Sequence, residues 1–276
     1  MKVFDAIRAA AERLAGVSDT PVLDAEYLMA KAARTARADI WRLDMEGSAP
    51  PHDAFRQLVE RRLAREPLSY ILGHAEFYGR TFRVTPDVLI PRSDSETLIY
   101  AALEAAPGAK RVLDLGTGSG ALLVTALLEL GAATGIGIDA SQAALYVAEN
   151  NAQLLGLGRK QAKFLCRDWT QAGWDEGLGA FDLVLCNPPY VETGAELEPD
   201  VREFEPASAL FAGPEGLDDY RILIPQLSGL LEEGGVAILE IGYEQAEAVG
   251  AIAQGEGFTV SLRRDLANRP RALILR

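Results

Sequence analysis

The chain has 276 residues, of which 49% are hydrophobic, and a formal net charge of −13. That length predicts one full α/β domain with a smaller companion, and the composition is that of a protein with a proper buried core. The acid excess argues against a chain that binds nucleic acid by general neutralisation of phosphates.

The charge is unevenly placed. Residues 1–80 hold 12 Lys and Arg against 12 Asp and Glu, whereas residues 81–276 hold 15 against 28. A protein or small-molecule partner is therefore expected, with no direct DNA binding. No run of 18 uncharged apolar residues occurs, and the opening MKVFDAIRAAAERLAG is charged throughout. Neither a membrane span nor a secretory leader is expected, and the cytoplasm is the expected compartment. Cys166 and Cys186 both lie in apolar strand-like runs, which predicts two buried reduced thiols and no disulfide or metal site.

In chain order, residues 1–75 read as a small helical bundle. Apolar residues recur at three-to-four spacing in VFDAIRAAAERLAG, VLDAEYLMAKAA and AFRQLVERRLA, with turn signals from Gly16 to Pro21 and from Gly47 to Pro51. EFYGRTFRVTPDVLI is rich in aromatic and β-branched residues and broken by Gly79 and Pro86. It predicts a β-hairpin linker over 76–92.

From residue 93 to 276 strands and helices alternate. Strands are expected at 111–116, 133–139, 162–168, 181–187, 234–242, 259–266 and 271–276. Helices are expected at 94–106, 119–131, 141–156, 218–232 and 243–255. This is the pattern of a mainly parallel, Rossmann-like sheet of seven strands with helices on both faces. Only Ala267 to Pro270 separate the last two strands, so that pair is expected to be antiparallel.

RVLDLGTGSGALLVTALLEL places Gly116, Thr117, Gly118, Ser119 and Gly120 between a strand and an apolar helix. Glycines there allow a tight turn and let a ligand approach the backbone. A bland tight turn would look the same, so the acids on either side matter. Asp114 offers a carboxylate at the strand end, better suited to the ammonium of a methionine moiety than to a phosphate. Asp139, closing the next strand, is placed to accept ribose hydroxyls. Asp168 and Trp169 end the third strand, where an acid suits an adenine amino group and an indole suits the ring face; strand-end packing is the alternative for Trp169.

The fourth strand, FDLVLC, ends in Asn187, Pro188, Pro189 and Tyr190. Ligands of open α/β sheets sit beyond the carboxyl ends of the strands, so this tetrapeptide is expected to share a crevice with the glycine loop. Two successive prolines stiffen the backbone and remove two N–H donors, leaving acceptors. A planar amide or exocyclic amine brings two N–H groups and a poorly nucleophilic nitrogen. The Asn187 side-chain oxygen and the Pro188 carbonyl can each accept one N–H, aligning the nitrogen and supporting positive charge as it develops. Tyr190 can stack on the flat acceptor.

These residues resemble the N5-glutamine methyltransferases of class I peptide chain release factors, the HemK or PrmC family. The resemblance covers nearly the whole chain: EPLSYILG (66–73), EFYGRTFRV (76–84), VLIPRSDSE (88–96), DLGTGSG (114–120), FDLVLCNPPY (181–190), EPASALFAGPEGLDDYR (205–221) and LEIGYEQ (239–245). It implies a class I methyltransferase domain using S-adenosyl-L-methionine, with the helical domain docking the protein substrate. It also implies that Gly116 to Gly120, Asp139, Trp169 and Asn187 hold the cofactor. Asn187 to Tyr190 would receive the glutamine of the release factor's GGQ motif, with Arg92 and Glu96 lining the site. A monomer is expected. Two stretches depart from the family pattern: Ser93 and Asp94 stand where Pro-Glu is usual, and Ala267-Asn268-Arg269-Pro270 stands where Gly-x-[DE]-R is usual.

Three alternatives stay open. One is a glutamine methyltransferase of a large-subunit ribosomal protein, and another is a nucleic-acid adenine-N6 or guanine-N2 methyltransferase that flips a base into the pocket. Against the latter stand Glu192, Glu196, Glu198, Asp200, Glu203 and Glu205, which would repel a phosphate backbone or else form a solvated loop. The third is a non-catalytic scaffold, which would be expected to lose cofactor or acceptor residues that this chain retains.

Overall fold

A computed structural model describes residues 2–47, 49–131 and 133–276. Of the expected turn from Gly47 to Pro51, Ser48 lies outside them. The chain forms two compact units, residues 1–74 with 197–204, and residues 75–196 with 205–276.

The first unit is helical: α1 (Val3–Leu14), α2 (Pro21–Ala33), α3 (Ile40–Met45), α4 (His52–Leu63) and α5 (Leu68–Leu72). The spacing in α1 puts Val3, Ala6, Ile7, Ala10, Ala11 and Leu14 on one buried face, packed with Leu28 and Met29 of α2 and Phe55 and Val59 of α4. A buried arginine ties the helices. Arg62 donates to Asp24 (2.9 Å), Asp200 (2.7 Å) and the carbonyls of Val17 (3.0 Å) and Glu66 (3.3 Å). Its charge is thus both paired and hydrogen-bonded, the condition for burying a guanidinium.

The second unit opens with the hairpin β1 (His74–Phe77) and β2 (Arg80–Arg83), whose first residue, His74, is counted with the helical unit. The chain then runs α6 (Glu96–Ala105), β3 (Arg111–Leu115), α7 (Ala121–Leu130), β4 (Thr134–Asp139), α8 (Gln142–Leu154), β5 (Ala162–Cys166) and β6 (Phe181–Cys186). After α9 (Pro199–Phe204), which belongs to the helical unit, come α10 (Asp218–Leu227), β7 (Leu231–Glu240), α11 (Ala246–Gly255), β8 (Val260–Arg264) and β9 (Pro270–Leu275).

The strands form one sheet in the order β5-β4-β3-β6-β7-β9-β8, with β3 to β7 parallel and β9 antiparallel to both β7 and β8. Alternate side chains enter opposite layers. Leu183 and Leu185 join one core with α6 and α7, whereas Val184 and Cys186 join another with α10 and α11. From β3 the chain winds outward through β4 and β5, then returns to add β6 and β7 on the other side. The switch point lies between β3 and β6, where this architecture places ligands.

Three expectations need correction. The helix expected at 218–232 ends at Leu227, and the following strand starts at Leu231 instead of 234. Cys166 is exposed, because β5 is an edge strand with only β4 beside it; Cys186 is buried. The acidic run is not simply a solvated loop. Asp200 binds Arg62 and Arg65, and the buried Glu205 accepts from the Ile90 amide and from Arg92. Among the described residues no helix is long and apolar enough to cross a membrane.

Candidate active site

Register brings the site together. Leu115 pairs with Cys186 and with Ile138, and Cys186 pairs with Leu239. The glycine loop, Asp139, Asn187 and Glu240 therefore leave four adjacent strands at one level. A Cβ added to Gly116 would lie 3.9 Å from the carbonyl oxygen of Asn187, so loop and tetrapeptide adjoin.

The loop turns on positive φ at Gly116 (73°), Gly118 (53°) and Gly120 (81°), where other residues are strained. The amides of Gly116 and Thr117 both donate to the Ile138 carbonyl, at 3.0 and 2.8 Å. Asp139 takes the Gly118 amide on Oδ2 and the Ser141 amide on Oδ1, both at 2.9 Å. Each of its oxygens keeps a lone pair for a further donor. Burial raises its pKa, while these two amides oppose the rise.

Asp114 is fully buried. Oδ2 accepts from the Thr117 hydroxyl at 2.7 Å, and Oδ1 has no donor. Desolvation pushes its pKa up to about 7, against the bond from Thr117. A buried carboxylate oxygen without a partner beside a glycine loop is suited to a ligand cation. Ser119 is held from behind, its carbonyl accepting from Asn151 Nδ2 at 2.8 Å. Sequence reading missed Asn151, since AENNAQ looks like any exposed helix turn.

Trp169 packs on this loop, with ring atoms 3.2 and 3.4 Å from where a Gly116 Cβ would stand. Its indole N–H donates to Asp219 at 2.8 Å, an acid on α10 that sequence reading also missed. Asp168 accepts the amide and hydroxyl of Thr170 on Oδ1, at 2.9 and 2.7 Å, which lowers its pKa.

In the tetrapeptide, Asn187 Nδ2 donates to the Ser95 hydroxyl at 3.5 Å, which turns Oδ1 the other way. Pro188 and Pro189 are buried, and the Tyr190 hydroxyl donates to Glu240 at 3.2 Å. Arg92 is paired with Glu205 at 2.5 Å but keeps 38% of its side chain exposed. Glu96 accepts the Tyr78 amide at 2.8 Å, fastening the hairpin. Ser93 and Asp94 form a 3-10 turn before α6, with Asp94 3.0 Å from Arg271. Asn268 adopts φ 62°, a conformation asparagine tolerates well, in a turn where Asp265 caps the amides of Ala267 and Arg269.

Known families account for both parts of the chain. The family model for the PrmC N-terminal domain matches residues 5–73, and a methyltransferase domain model matches residues 108–245. The chain is 41% identical to a release factor glutamine methyltransferase of Caulobacter vibrioides, over 96% of this chain and 93% of that one. It is 42% identical to one of Cereibacter sphaeroides, over 100% and 99%. A solved methyltransferase of Pyrococcus furiosus shares the fold at TM-score 0.53 and 17% identity, covering 80% of this chain and 96% of that one. The second unit is thus a class I, Rossmann-like methyltransferase fold, and the chain belongs to the release factor glutamine methyltransferase family.

Proposed function

We propose that the protein transfers a methyl group from S-adenosyl-L-methionine to the side-chain N5 of the glutamine in the GGQ motif of class I peptide chain release factors, acting as a monomer in the cytoplasm. One observation carries the reading: a stiff corner lined with acceptors, Asn187 to Tyr190, adjoins a glycine loop at the switch point of the sheet.

The residues fit the cofactor. The positive-φ glycines open the backbone to a ligand, and Asp114 presents an orphan carboxylate oxygen suited to an ammonium group. Asp139 has lone pairs left for ribose hydroxyls, and Asp168 and Trp169 are the acid and the indole that would meet the adenine. Thr117 and Ser119 shape the loop between the glycines. When bound, S-adenosyl-L-methionine supplies an electrophilic sulfonium methyl.

The chain's own groups then orient the amide. With Nδ2 of Asn187 turned to Ser95, Oδ1 accepts one glutamine N–H and the Pro188 carbonyl accepts the other. Pro188 and Pro189 bring no competing N–H. Tyr190 flanks the flat amide. Holding both hydrogens fixes the nitrogen for attack and stabilises its growing positive charge; the proton passes to solvent after transfer. The exposed part of Arg92 is available to the incoming polypeptide, and Glu96 supports the wall through the hairpin.

The helical unit docks the protein substrate in this reading. It carries a groove of about 670 Å³ lined by Phe4, Ile7, Ala11, Pro21 and Val22, with Phe4 and Val22 exposed. The test offers tritiated S-adenosyl-L-methionine with purified release factor, large-subunit ribosomal protein or DNA. Label on the GGQ glutamine is expected. Label confined to ribosomal protein or DNA would reject the assignment.

A further inference from the structure

Tyr190 is held at both ends by side chains outside the glycine loop and the tetrapeptide. Its hydroxyl donates to Oε1 of Glu240 at 3.2 Å, and its carbonyl accepts from Gln245 Nε2 at 3.0 Å. Glu240 closes β7, next to the residue paired with Cys186, so it emerges beside the tetrapeptide. It is 1% exposed, and its Oε2 has no donor.

A buried acid is a costly choice for a sheet core, where an apolar residue of similar size is neutral or stabilising. Burial raises the pKa of Glu240, while the Ser95 hydroxyl, Arg271 and Tyr190 favour its charged form. Ser95 is also the acceptor for Asn187 Nδ2, so Glu240 meets both polar side chains of the tetrapeptide, one directly and one through Ser95.

Gln245 is itself fixed. Its Oε1 accepts the Gly242 amide at 3.0 Å, and its Nε2 also donates to the Gly216 carbonyl at 3.1 Å. Gly216 has φ +66°, and a Cβ there would stand 2.3 Å from the Tyr190 carbonyl oxygen. Only glycine lets that segment close on the tetrapeptide.

We propose that Glu240 and Gln245 are positioning residues for the transfer: they fix Tyr190 from its hydroxyl and its carbonyl, and through it the plane of the acceptor amide. This rests on reading Tyr190 as a wall of the acceptor site.

The test compares Glu240→Leu, which removes the hydroxyl's acceptor, Glu240→Gln, which keeps one, Gln245→Leu, and Tyr190→Phe, which removes the donor without altering the core. Misplacement near a reacting centre costs about 10- to 100-fold. Glu240→Leu and Tyr190→Phe should each lower kcat by at least about tenfold, with KM for the release factor and cofactor Kd within about twofold. Glu240→Gln should restore most of kcat, and the Glu240→Leu/Tyr190→Phe double variant should fall no further than the worse single variant. Hydrogen exchange at the Tyr190 and Val191 amides, read without any acceptor, should rise at least about tenfold in Glu240→Leu and Gln245→Leu. Unchanged exchange in those two variants, or additive kcat losses in the double variant, overturns the proposal. If Glu240→Leu does not fold, the exchange of Gln245→Leu and the kcat of Tyr190→Phe against Glu240→Gln decide it. Faster exchange in a protein whose wild type labels no release factor supports the fixing of Tyr190 and overturns the acceptor assignment instead.

Discussion

The glycine loop and the tetrapeptide follow the carboxyl ends of neighbouring central strands, β3 and β6, yet they are held differently. The loop is held at its own backbone and from the next strand and helix: the amides of residues 116 and 117 on the Ile138 carbonyl, the Asp139 side chain on the amide of Gly118, and the Asn151 side chain on the carbonyl of Ser119. The tetrapeptide is held by side chains from far along the sequence, Ser95, Glu240 and Gln245. A cofactor of constant shape suits a rigid backbone cradle. An acceptor arriving on another protein suits a corner whose orientation is set by replaceable side chains.

That contrast can be broken at either end. The largest effect is expected at the acceptor corner, where Asn187→Ala should cut turnover by at least ~10²-fold, as for loss of one preorganised polar contact. Tritium transfer measures it, and calorimetry should find cofactor binding mostly kept. Full activity in that variant would remove the amide of Asn187 from the mechanism.

At the loop, Gly116→Ala forces a side chain to φ +73° and against Trp169, at a strain of about 1–3 kcal/mol. Urea unfolding should report that loss, and cofactor Kd should rise about tenfold, equivalent to about 1.4 kcal/mol. An unaltered Kd would mean that the indole yields freely.

The pH dependence sharpens the comparison, because Asp114 belongs to the loop alone. With its pKa near 7, Asp114 in the ligand-free protein takes up a proton as pH falls through neutrality. A cationic ligand must displace that proton, so cofactor affinity should weaken by up to about tenfold per pH unit below about 7. Folding stability responds with the opposite sign. The folded protein binds this proton more tightly than the unfolded chain, so the Asp114 contribution improves from about pH 7 down to about 4. Calorimetry across that range on wild type and Asp114→Asn should show the affinity slope only in the former.

The smallest effect is expected from Asp219→Leu, which frees the Trp169 indole and should raise cofactor Kd about threefold, within the worth of one hydrogen bond. Tryptophan fluorescence during cofactor titration measures it, and no change would assign Trp169 to packing alone.

What was legible in the sequence follows the same division. Gly116, Gly118, Gly120, Asp114 and Asp139 sit within one strand-helix-strand stretch, so spacing alone placed them. The parallel sheet and its antiparallel end were readable from the alternation of elements and the short Ala267–Pro270 link. Glu240 was not, because an acid ending an apolar strand looks like the start of a solvated turn. Its partners lie 50 residues away at Tyr190 and farther still at Ser95. Asp219 was hidden beside Asp218 at the start of a helix, where acids are ordinary in any case. Glu205 and Asp200 were masked by their acidic neighbours, since charge counts do not reveal which carboxylate meets an arginine.

The unequal burial of the two thiols makes the fold self-reporting. Cys186 lies in the core with its thiol pKa pushed up by desolvation, whereas Cys166 stands open at the rim, across from Asp139 in the β4–β5 register. A maleimide dye should therefore react once per native molecule and twice after unfolding. The single native adduct would place a fluorophore beside Asp139, within sight of the loop proposed to hold the cofactor.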